Sequence, residues 1–440
     1  MTAHTIDDVT CLGCGCACDD IRVVVEGARI TDARNACPLG REWFGDGAVP
    51  ATIRVDGTLV PPGEAATGAS IDSAINAAAS LLADSVRPLV SLAPGISCET
   101  QREAAAIADL LHARLDSVTS ATARPLVIAA QERGFASATF GEIRNRADVI
   151  VFWAVDVAHR YPRFETRYAS DRDGSHLGGA SNGRRAIGVD VGAAVSSAAY
   201  IDHRVSVSAD DELAVLTALQ ALVREPASDT PLSTLVDGAS AWTTARELAG
   251  VLRSGRYVAL VFDGEPDDRE NRSLQRFDAI LALSQALNQR ARCAAIALRA
   301  GGNRSGADVV LTAQTGYPMG IDFSRGYPRY DVFADSISTH DVALIVGDTS
   351  SLPRPVLDSL ARSRAIVIGP RASRTPLGEV AICIDTGVAG IHSTGTAFRA
   401  DDVPLGLRAP LAGRLSAAEV VRSLAQHVAA ALRASPAPAR

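Results

Sequence analysis

The chain has 440 residues, of which 47% are hydrophobic and 21% charged, which is typical of a multidomain globular protein and excludes a disordered chain. All 43 basic residues are arginine, which excludes chemistry that needs a lysine, such as Schiff-base catalysis or phosphate binding by a P-loop. A net charge of −7, no basic run, no secretory signal and no apolar stretch near the roughly 20 residues of a membrane span predict a cytoplasmic protein without nucleic-acid or membrane partners.

The first predicted unit is a small β module over residues 1–55 that carries five of the eight cysteines. A short strand at Ile21–Val25, a turn at Glu26–Gly27 and a second strand at Arg29–Thr31 predict a hairpin. Cys37 follows the hairpin. The pattern therefore places two cysteine loops at the ends of one β-hairpin, and the Pro61-Pro62-Gly63 stretch marks the linker after it.

Beyond the linker, apolar runs of strand length alternate with alanine- and leucine-rich helical segments. Continuous apolar strands separated by helices predict parallel sheets covered on both faces, in two α/β domains over residues 65–250 and 251–435. The tail from about Ala429 is expected to fray. The predicted helices are Ile71–Ala83, Glu99–Arg114, Asp211–Val223 and Leu274–Ala286, and the predicted strands are Pro88–Ala93, Val149–Val155, Ile187–Val191, Tyr257–Phe262, Ala294–Leu298, Val342–Val346, Ala365–Ile368 and Val380–Ile384.

The strongest local signal is the set Cys11, Cys14, Cys18 and Cys37. Three thiolates from one loop and a fourth from a distant segment suit a [4Fe–4S] cluster, and the flanking glycines let the backbone fold tightly around it. A Cys₄ zinc site and unliganded thiols remain alternatives, although a zinc site usually has a second C-x-x-C pair. Cys16, inside the same loop, is not expected to be a ligand.

Other candidates outside this module are weaker. Cys98, Cys293 and Cys383 lie in apolar surroundings and are predicted to be buried structural thiols. Asp322, Arg325 and Arg329 either line a cleft, where arginines bind carboxylates or phosphates, or form a surface turn. The run from Gly301 to Gly306 is either a phosphate-binding loop or a simple turn.

Several of these stretches together resemble one family. The run Cys11-Leu-Gly-Cys-Gly-Cys-Ala-Cys-Asp-Asp-Ile21, followed by Asn35-Ala-Cys-Pro-Leu-Gly40, is similar to the N-terminus of the B-type subunit of formylmethanofuran dehydrogenase. The resemblance continues through the Ser97-Cys98-Glu99 stretch. It is most specific from Thr315 to Tyr330, and it spans almost the whole chain.

The resemblance implies a metallopterin-oxidoreductase-like fold with doubly wound parallel sheets. Family enzymes hold tungsten or molybdenum through two pterin guanine dinucleotides and one cysteine, with a histidine beside it. By register on Asp116, Ser120 and Pro125, these two residues correspond to Thr122 and Ala123 here, so a soft thiolate ligand is replaced by an alcohol and a proton carrier by a methyl group. The family's dinucleotide-contacting loop contains a proline and an arginine. The corresponding loop of this chain lacks both, since it reads Asp190-Val-Gly-Ala-Ala-Val195.

These replacements predict no side chain with a catalytic role at Thr122 or Ala123 and no bound metallopterin. The chain looks like the B-type subunit of a bacterial formyltransferase/hydrolase complex, in which it holds together an amidohydrolase-like subunit and a formyltransferase subunit in methylotrophic one-carbon metabolism, from formaldehyde to formate. Two alternatives stay open: an active tungsten or molybdenum formylmethanofuran dehydrogenase subunit, and an electron-transfer module that uses only the four-cysteine cluster.

Overall fold

The computed structural model describes residues 3–60, 68–170, 183–225, 239–266, 273–331 and 340–434, and it is a mixed α/β protein. The chain divides into two compact units: unit 1 comprises Met1–Ala121 and Gly301–Arg440, and unit 2 comprises Thr122–Ala300. Unit 2 is therefore an insertion within unit 1. This division differs from the predicted boundary at residue 250, because strands from both ends of the chain pair in one sheet of unit 1.

The described residues contain helices and strands along the whole length of both units. The strands are β1 (His4–Val9), β2 (Ile21–Glu26), β3 (Arg29–Arg34), β4 (Ile53–Val55), β5 (Thr58–Val60), β6 (Leu89–Leu92), β7 (Arg114–Ser117), β8 (Val149–Trp153), β9 (Arg185–Val191), β10 (His203–Val207), β11 (Tyr257–Asp263), β12 (Arg292–Leu298), β13 (Ile321–Asp322), β14 (Arg329–Tyr330), β15 (Val342–Val346), β16 (Arg364–Gly369), β17 (Ile382–Asp385), β18 (Gly395–Phe398) and β19 (Pro404–Leu407). The α-helices are α1 (Pro38–Phe44), α2 (Gly68–Ala83), α3 (Cys98–Leu110), α4 (Thr119–Thr122), α5 (Arg124–Arg133), α6 (Phe140–Arg146), α7 (Val157–Arg160), α8 (Glu212–Arg224), α9 (Ala239–Ser254), α10 (Leu274–Asn288), α11 (Arg304–Thr315), α12 (Arg354–Leu360) and α13 (Ala417–Ala434).

Strands β1, β2 and β3 form an antiparallel sheet, and α1 follows them; we call this region the cysteine module. The predicted hairpin is confirmed, since β2 and β3 pair over their length. The alternation of Ile21, Val23 and Val25 buries one face of β2 and leaves the other largely accessible, as period-2 patterning requires. Strand β1, which has a polar sequence, was not predicted.

The large sheet of unit 1 has the order β14-β13-β7-β6-β15-β16-β17-β4-β5. Its five central strands, β7 to β17 in this order, are parallel, and antiparallel hairpins extend it at both edges. Neighbouring residues of β15 enter different cores, with Leu344 on the side of α2, α3 and α13 and Ile345 on the side of α12. Both faces are therefore covered, which explains why its central strands are continuously apolar.

The sheet of unit 2 is entirely parallel, with the order β10-β9-β8-β11-β12. From β8 the chain builds outward through β9 and β10 on one side, and then through β11 and β12 on the other. The strand order thus reverses between β8 and β11. Such a reversal is the point at which doubly wound sheets bind ligands, at the carboxyl ends of the strands.

Two sequence predictions in unit 1 were wrong in their extent. The helix predicted to reach Arg114 ends at Leu110, because His112 adopts a left-handed conformation at φ 52° and Arg114 begins a strand. The tail predicted to fray from Ala429 stays helical to Ala434, because Val420, Leu424 and Val428 are buried along one face of α13. Among the described residues, no helix combines the length and the apolar character needed to cross a membrane.

Candidate functional site

The loop of the cysteine module that carries Cys11, Cys14 and Cys18 lies between β1 and β2. The N–H of Cys11 donates to the carbonyl of Cys18 at 2.8 Å, and the N–H of Ala17 donates to that of Cys14 at 3.1 Å, which closes the loop on itself. Ala17 adopts φ 37°, a left-handed conformation that the tight turn requires. All three sulfur-bearing residues are buried.

Cys37 reaches the same place from the other end of the hairpin, directly before α1. A side chain at Gly40 would put its Cβ 3.3 Å from the sulfur of Cys11 and 3.8 Å from that of Cys37, so both sulfurs border the space above this glycine. Burial raises the pKa of the Cys11 thiol well above its usual range, a backbone N–H partly opposes this, and the three other predicted ligands raise it further. The structure therefore brings the four predicted cysteines together.

A metal centre requires several ligand side chains that surround one point. No group of three or more His, Cys, Asp or Glu side chains within the described ranges is arranged to hold a metal ion. A cuboidal cluster has several metal corners, so its thiolates stand further apart than four ligands on one ion. The sulfurs of Cys11 and Cys37 both lie within 4 Å of the Cβ position of Gly40, and Leu12 and Ala17 of the same loop are buried in an apolar cluster.

The glycine-rich stretch that starts at Gly301 holds the cysteine loop. The N–H of Gly302 donates to the carbonyl of Leu12 at 2.9 Å, and its own carbonyl accepts from the N–H of Gly95 at 2.8 Å. A Cβ at Gly301 would lie 2.3 Å from the same Leu12 carbonyl, so only glycine fits. Because the N–H of Gly302 points to a protein carbonyl, the stretch acts as a clamp on the module, which favours the turn over the phosphate-binding loop.

A second contact comes from the C-terminal hairpin of β18 and β19. The N–H of Ala400 donates to the carbonyl of Gly15 at 2.9 Å, and the hydroxyl of Thr10 donates to the carbonyl of Gly406, also at 2.9 Å. The module is thus tied to segments that are distant along the chain. Sequence analysis missed these contacts because no local sequence pattern indicates them.

Cys98 begins α3 beneath this clamp. It is fully buried, and the side-chain amide of Asn303 contacts its sulfur at 3.6 Å and donates to the carbonyl of Ile96 at 2.9 Å. Burial raises the pKa of the Cys98 thiol. The prediction of a structural thiol is confirmed, and it is confirmed for Cys293 and Cys383 as well, both of which lie in buried strands.

Thr122 and Ala123, the predicted degenerate positions, lie at the junction of α4 and α5. Thr122 is the last residue of α4, Ala123 precedes α5, and both are buried. The carboxylate of Asp116 holds the preceding turn, because it accepts from the N–H of Ser117 at 2.8 Å and from the hydroxyl of Ser120 at 2.5 Å. An alcohol and a methyl group at these positions do not fit a site that needs a thiolate ligand and a proton carrier.

Asp322, Arg325 and Arg329 lie in the hairpin of β13 and β14. Asp322 is buried and forms an ion pair with Arg329, whereas Arg325 is exposed. Burial alone would raise the pKa of Asp322, but Ser324 and Arg329 hold it below its ordinary value. The three residues therefore form a surface turn with an internal ion pair, as one of the two predictions had it.

Unit 2 has a cavity of about 820 Å³ that sequence analysis missed. It lies beyond the carboxyl ends of β8, β9 and β11, at the reversal of strand order, and we call it the sheet-end cavity. The loop from Asp190 to Val195 forms part of its wall through Val191, Ala193 and the residues up to Val195. Its volume falls in the range of about 300–1,000 Å³ that is typical of small-molecule sites.

Two ion pairs form much of the polar lining of this cavity. Glu212 accepts from Arg276 at 2.9 and 3.0 Å and from the indole N–H of Trp153 at 2.7 Å, all of them buried. Asp263 lies 2.7 Å from Arg160. Burial raises the pKa of the Asp263 carboxyl, and the positive charge of Arg160 opposes the rise.

Known proteins with similar sequences point to one family. No family model matches the chain. It is 28% identical over 439 residues to the B-type subunit of the tungsten-containing formylmethanofuran dehydrogenase 2 of Methanocaldococcus jannaschii, covering 96% of this chain and 98% of the relative. The protein of the same name from Methanococcus maripaludis is 27% identical over 442 residues, with the same coverage of both chains. The predicted resemblance to this type of formylmethanofuran dehydrogenase subunit is confirmed.

A solved structure extends the comparison to the fold. A chain in the crystal structure of the formyltransferase/hydrolase complex FhcABCD from Methylorubrum extorquens, in complex with methylofuran, superposes with a TM-score of 0.69 at 22% identity. The match covers 86% of this chain and 98% of that one. The α/β fold is thus shared with a component of a formyltransferase/hydrolase complex.

Proposed function

We propose that this chain is a structural B-type subunit of a formyltransferase/hydrolase complex that acts in the cytoplasm on a formylated one-carbon carrier. It has a metallopterin-oxidoreductase-like fold but no redox chemistry of its own at Thr122. The observation that carries this proposal is the similarity to the B-type dehydrogenase subunit over 96% of the chain, combined with an alcohol and a methyl group at Thr122 and Ala123. The fold shared with a chain of FhcABCD supports the same assignment.

The partners follow from this role. The chain holds together an amidohydrolase-like subunit and a formyltransferase subunit, which perform the transfer and hydrolysis of the formyl group. A protein that acts through its surfaces keeps its core and its docking residues while the residues of an unused reaction change. The two buried sheets and the clamped cysteine module are such retained features, whereas the Thr122 stretch has changed.

The cysteine module is proposed to hold a [4Fe–4S] cluster through Cys11, Cys14, Cys18 and Cys37. A bound cluster would supply four strong metal–thiolate bonds between the two ends of the hairpin, and it would also be able to transfer electrons. In the structural role, a bound cluster would fix the module. The residues of this chain would provide the thiolates and exclude water through Leu12 and Ala17, and the missing side chain at Gly40 lets the sulfurs of Cys11 and Cys37 approach each other.

A second candidate is an active tungsten formylmethanofuran dehydrogenase subunit, which the names of the two curated relatives favour. The residues at Thr122 and Ala123 argue against it, because neither supplies the soft ligand of the family. Metal content separates the two candidates. About one tungsten or molybdenum per chain in the native complex supports the dehydrogenase, and none supports the structural subunit.

The test is affinity purification of the tagged chain from its own host. We expect co-purification with formyltransferase and amidohydrolase subunits, through an interface larger than the roughly 1,000 Å² of a specific contact, and no formate oxidation or reduction by the complex. Deleting the gene should abolish both formyl transfer and hydrolysis by disassembling the complex. A chain that purifies alone, or one that reduces a dye with formate, would contradict the proposal.

A further inference from the structure

The cysteine loop is held by two segments that are distant from each other in the sequence. The N–H of Gly302 donates to the carbonyl of Leu12, and the N–H of Ala400, which follows β18, donates to the carbonyl of Gly15, both at 2.9 Å. These two hydrogen bonds keep the loop in one place only if the two donating segments are fixed relative to each other. The side chain that joins them is that of Asn303.

Asn303 is buried, with 4% of its surface exposed, and it bonds to two other segments. Its side-chain oxygen accepts from the N–H of Phe398 in β18 at 2.8 Å, and its side-chain amide donates to the carbonyl of Ile96, just before α3, at 2.9 Å. Its backbone carbonyl accepts from the side-chain amide of Gln101 in α3 at 3.1 Å. One residue of the glycine-rich stretch thus binds α3 and β18 at once.

The backbone around Asn303 leaves room for this arrangement. Asn303 precedes α11 in a left-handed conformation at φ 63°, which asparagine adopts more readily than most residues. Its side chain lies over Gly306, in the first turn of α11, because a Cβ at Gly306 would lie 2.0 Å from the side-chain oxygen of Asn303. Only glycine at position 306 is compatible with the observed position of the Asn303 side chain.

A second side chain also reaches β18. The carboxylate of Glu99 accepts from the N–H of Thr396 at 2.9 Å, and this bond joins β18 to α3. The bonds of Asn303 join β18 to the stretch in which Gly302 holds the cysteine loop. Without the Asn303 side chain, the N–H of Phe398 would lose this partner, and the two supports of the loop would no longer be joined through it.

We propose that Asn303 is a positioning residue of the cysteine loop: by joining β18 to the glycine-rich stretch, its side chain keeps Cys11, Cys14 and Cys18 in one buried arrangement. The consequence for metal binding rests on the proposed cluster. Residues that orient metal ligands without binding the metal typically change metal affinity by about 10- to 100-fold when they are lost. The consequence for the thiols themselves does not rest on the cluster.

The experiment measures thiol exposure in the complex that contains the full-length chain, with the variant Asn303→Gly. Glycine tolerates the left-handed conformation, so this variant removes the side chain without straining the backbone. After a chelator has removed metal in the absence of oxygen, N-ethylmaleimide labels the thiols, and mass spectrometry gives the rate at each cysteine. We expect Cys11, Cys14 and Cys18 to react about ten-fold faster than in the unmodified complex, because buried groups react through local opening. Cys383, a buried thiol of β17 in the same unit, should react at an unchanged rate.

The matched control is Asn288→Gly, at the end of α10 in unit 2. The Asn288 side chain also makes three hydrogen bonds, one with Ser284 and two with the backbone of Cys293. Its loss should lower the melting temperature of the complex and leave the reactivity of the cysteine loop unchanged.

A second variant, Gly306→Ala, retains Asn303 and displaces its side chain. Alanine is a better helix former than glycine, so an effect through helix stability alone would slow the labelling. We expect faster labelling of the cysteine loop, as in Asn303→Gly. The double variant should react no faster than Asn303→Gly, because the side chain that clashes with the new methyl group is then absent.

Metal retention is measured separately, as the rate at which the complex purified without oxygen releases iron to a ferrous chelator. We expect release to be about ten-fold faster in Asn303→Gly. If the unmodified complex contains no iron, the cluster assignment fails, and the labelling rates still decide the role of Asn303. Unchanged labelling of the cysteine loop in Asn303→Gly, an equal acceleration at Cys383, or additive effects of the two substitutions would overturn the proposal.

Discussion

The cysteine module and the sheet-end cavity hold their chemically capable side chains in opposite ways. In the module, backbone hydrogen bonds fix the loop, since the carbonyls of Leu12 and Gly15 accept from the N–H groups of Gly302 and Ala400. The sulfurs of Cys11 and Cys37 both lie close to Gly40. In the cavity, the side chains hold each other, and the arginines are neutralised by Glu212 and Asp263. The thiols of the module therefore remain available as ligands for an added group, whereas the arginines Arg160 and Arg276 of the cavity already bind carboxylates of the protein.

The cysteine module and the Thr122 stretch also differ in how far they depart from the family pattern. The module has four cysteines, the residue type that an iron–sulfur cluster would require. The Thr122 stretch retains the local turn around Asp116 but has no thiolate at the position expected to bind the metal. Substitutions in the module and at Thr122 test this contrast between the two regions.

The largest effect is expected from adding a side chain at Gly301. In a Gly301→Val variant, the new Cβ would meet the carbonyl oxygen of Leu12 at 2.3 Å and backbone atoms of Gly13 at 2.7 Å. Backbone atoms cannot rotate away, so we expect a loss of more than about 3 kcal/mol of folding free energy, at the upper end of overpacking effects. Thermal unfolding of the purified complex measures the loss.

The matched control is Gly406→Val, in β19 of the same unit. Nothing lies within 4 Å of a Cβ at this position, and a β-branched residue suits a strand. We expect a change within about 0.5 kcal/mol, as for ordinary surface substitutions. Equal stability of the two variants would show that the contact between the Gly301 segment and the cysteine loop does not form.

Much of the fold was predictable from the sequence, because buried parallel strands such as β8, β11 and β15 are continuously apolar over most of their length. The predictable elements carry a periodic signal. The segment of β7 reads Arg-Leu-Asp-Ser, and β13 and β14 have two residues each, too short for any periodicity to show. Helix α11 was missed because its first turn contains a glycine and follows a glycine-rich stretch.

The candidate sites were predictable to different degrees for the same reason. The four cysteines are recognisable by residue type and spacing, so sequence alone proposed them as one group. The sheet-end cavity depends on pairs such as Glu212 with Arg276, which are 64 residues apart and have no local pattern. The clamp at Gly301 depends on a close approach of two backbones, for which a run of glycines is the only sign in the sequence.

A smaller effect on stability, with a large effect on metal content, is expected from Cys37→Ser. An alcohol is a poor ligand for iron in such clusters, so the iron and acid-labile sulfide content of the native complex should fall to near zero. Cys293→Ser is the control, because Cys293 is a buried thiol of β12 outside the module, and its loss should lower the melting temperature but leave iron unchanged. If wild-type complex purified without oxygen contains no iron, the cluster assignment fails.

The smallest effect is expected from Thr122→Ala, which tests whether the degenerate position still has a role in the reaction. Removing one buried hydroxyl typically costs about 1 kcal/mol of stability, and the structural proposal assigns no reaction step to this side chain, so formyl transfer and hydrolysis by the assembled complex should stay close to the unmodified rate. Thr119→Ala, three residues earlier in α4, is the matched control: its hydroxyl donates to Asp308 at 2.6 Å, so its loss should lower stability while also sparing turnover. A loss of turnover confined to Thr122→Ala, in a complex that is fully assembled, would mean that this alcohol contacts a reacting group. The prediction that Thr122 marks a lost metal site would then be wrong.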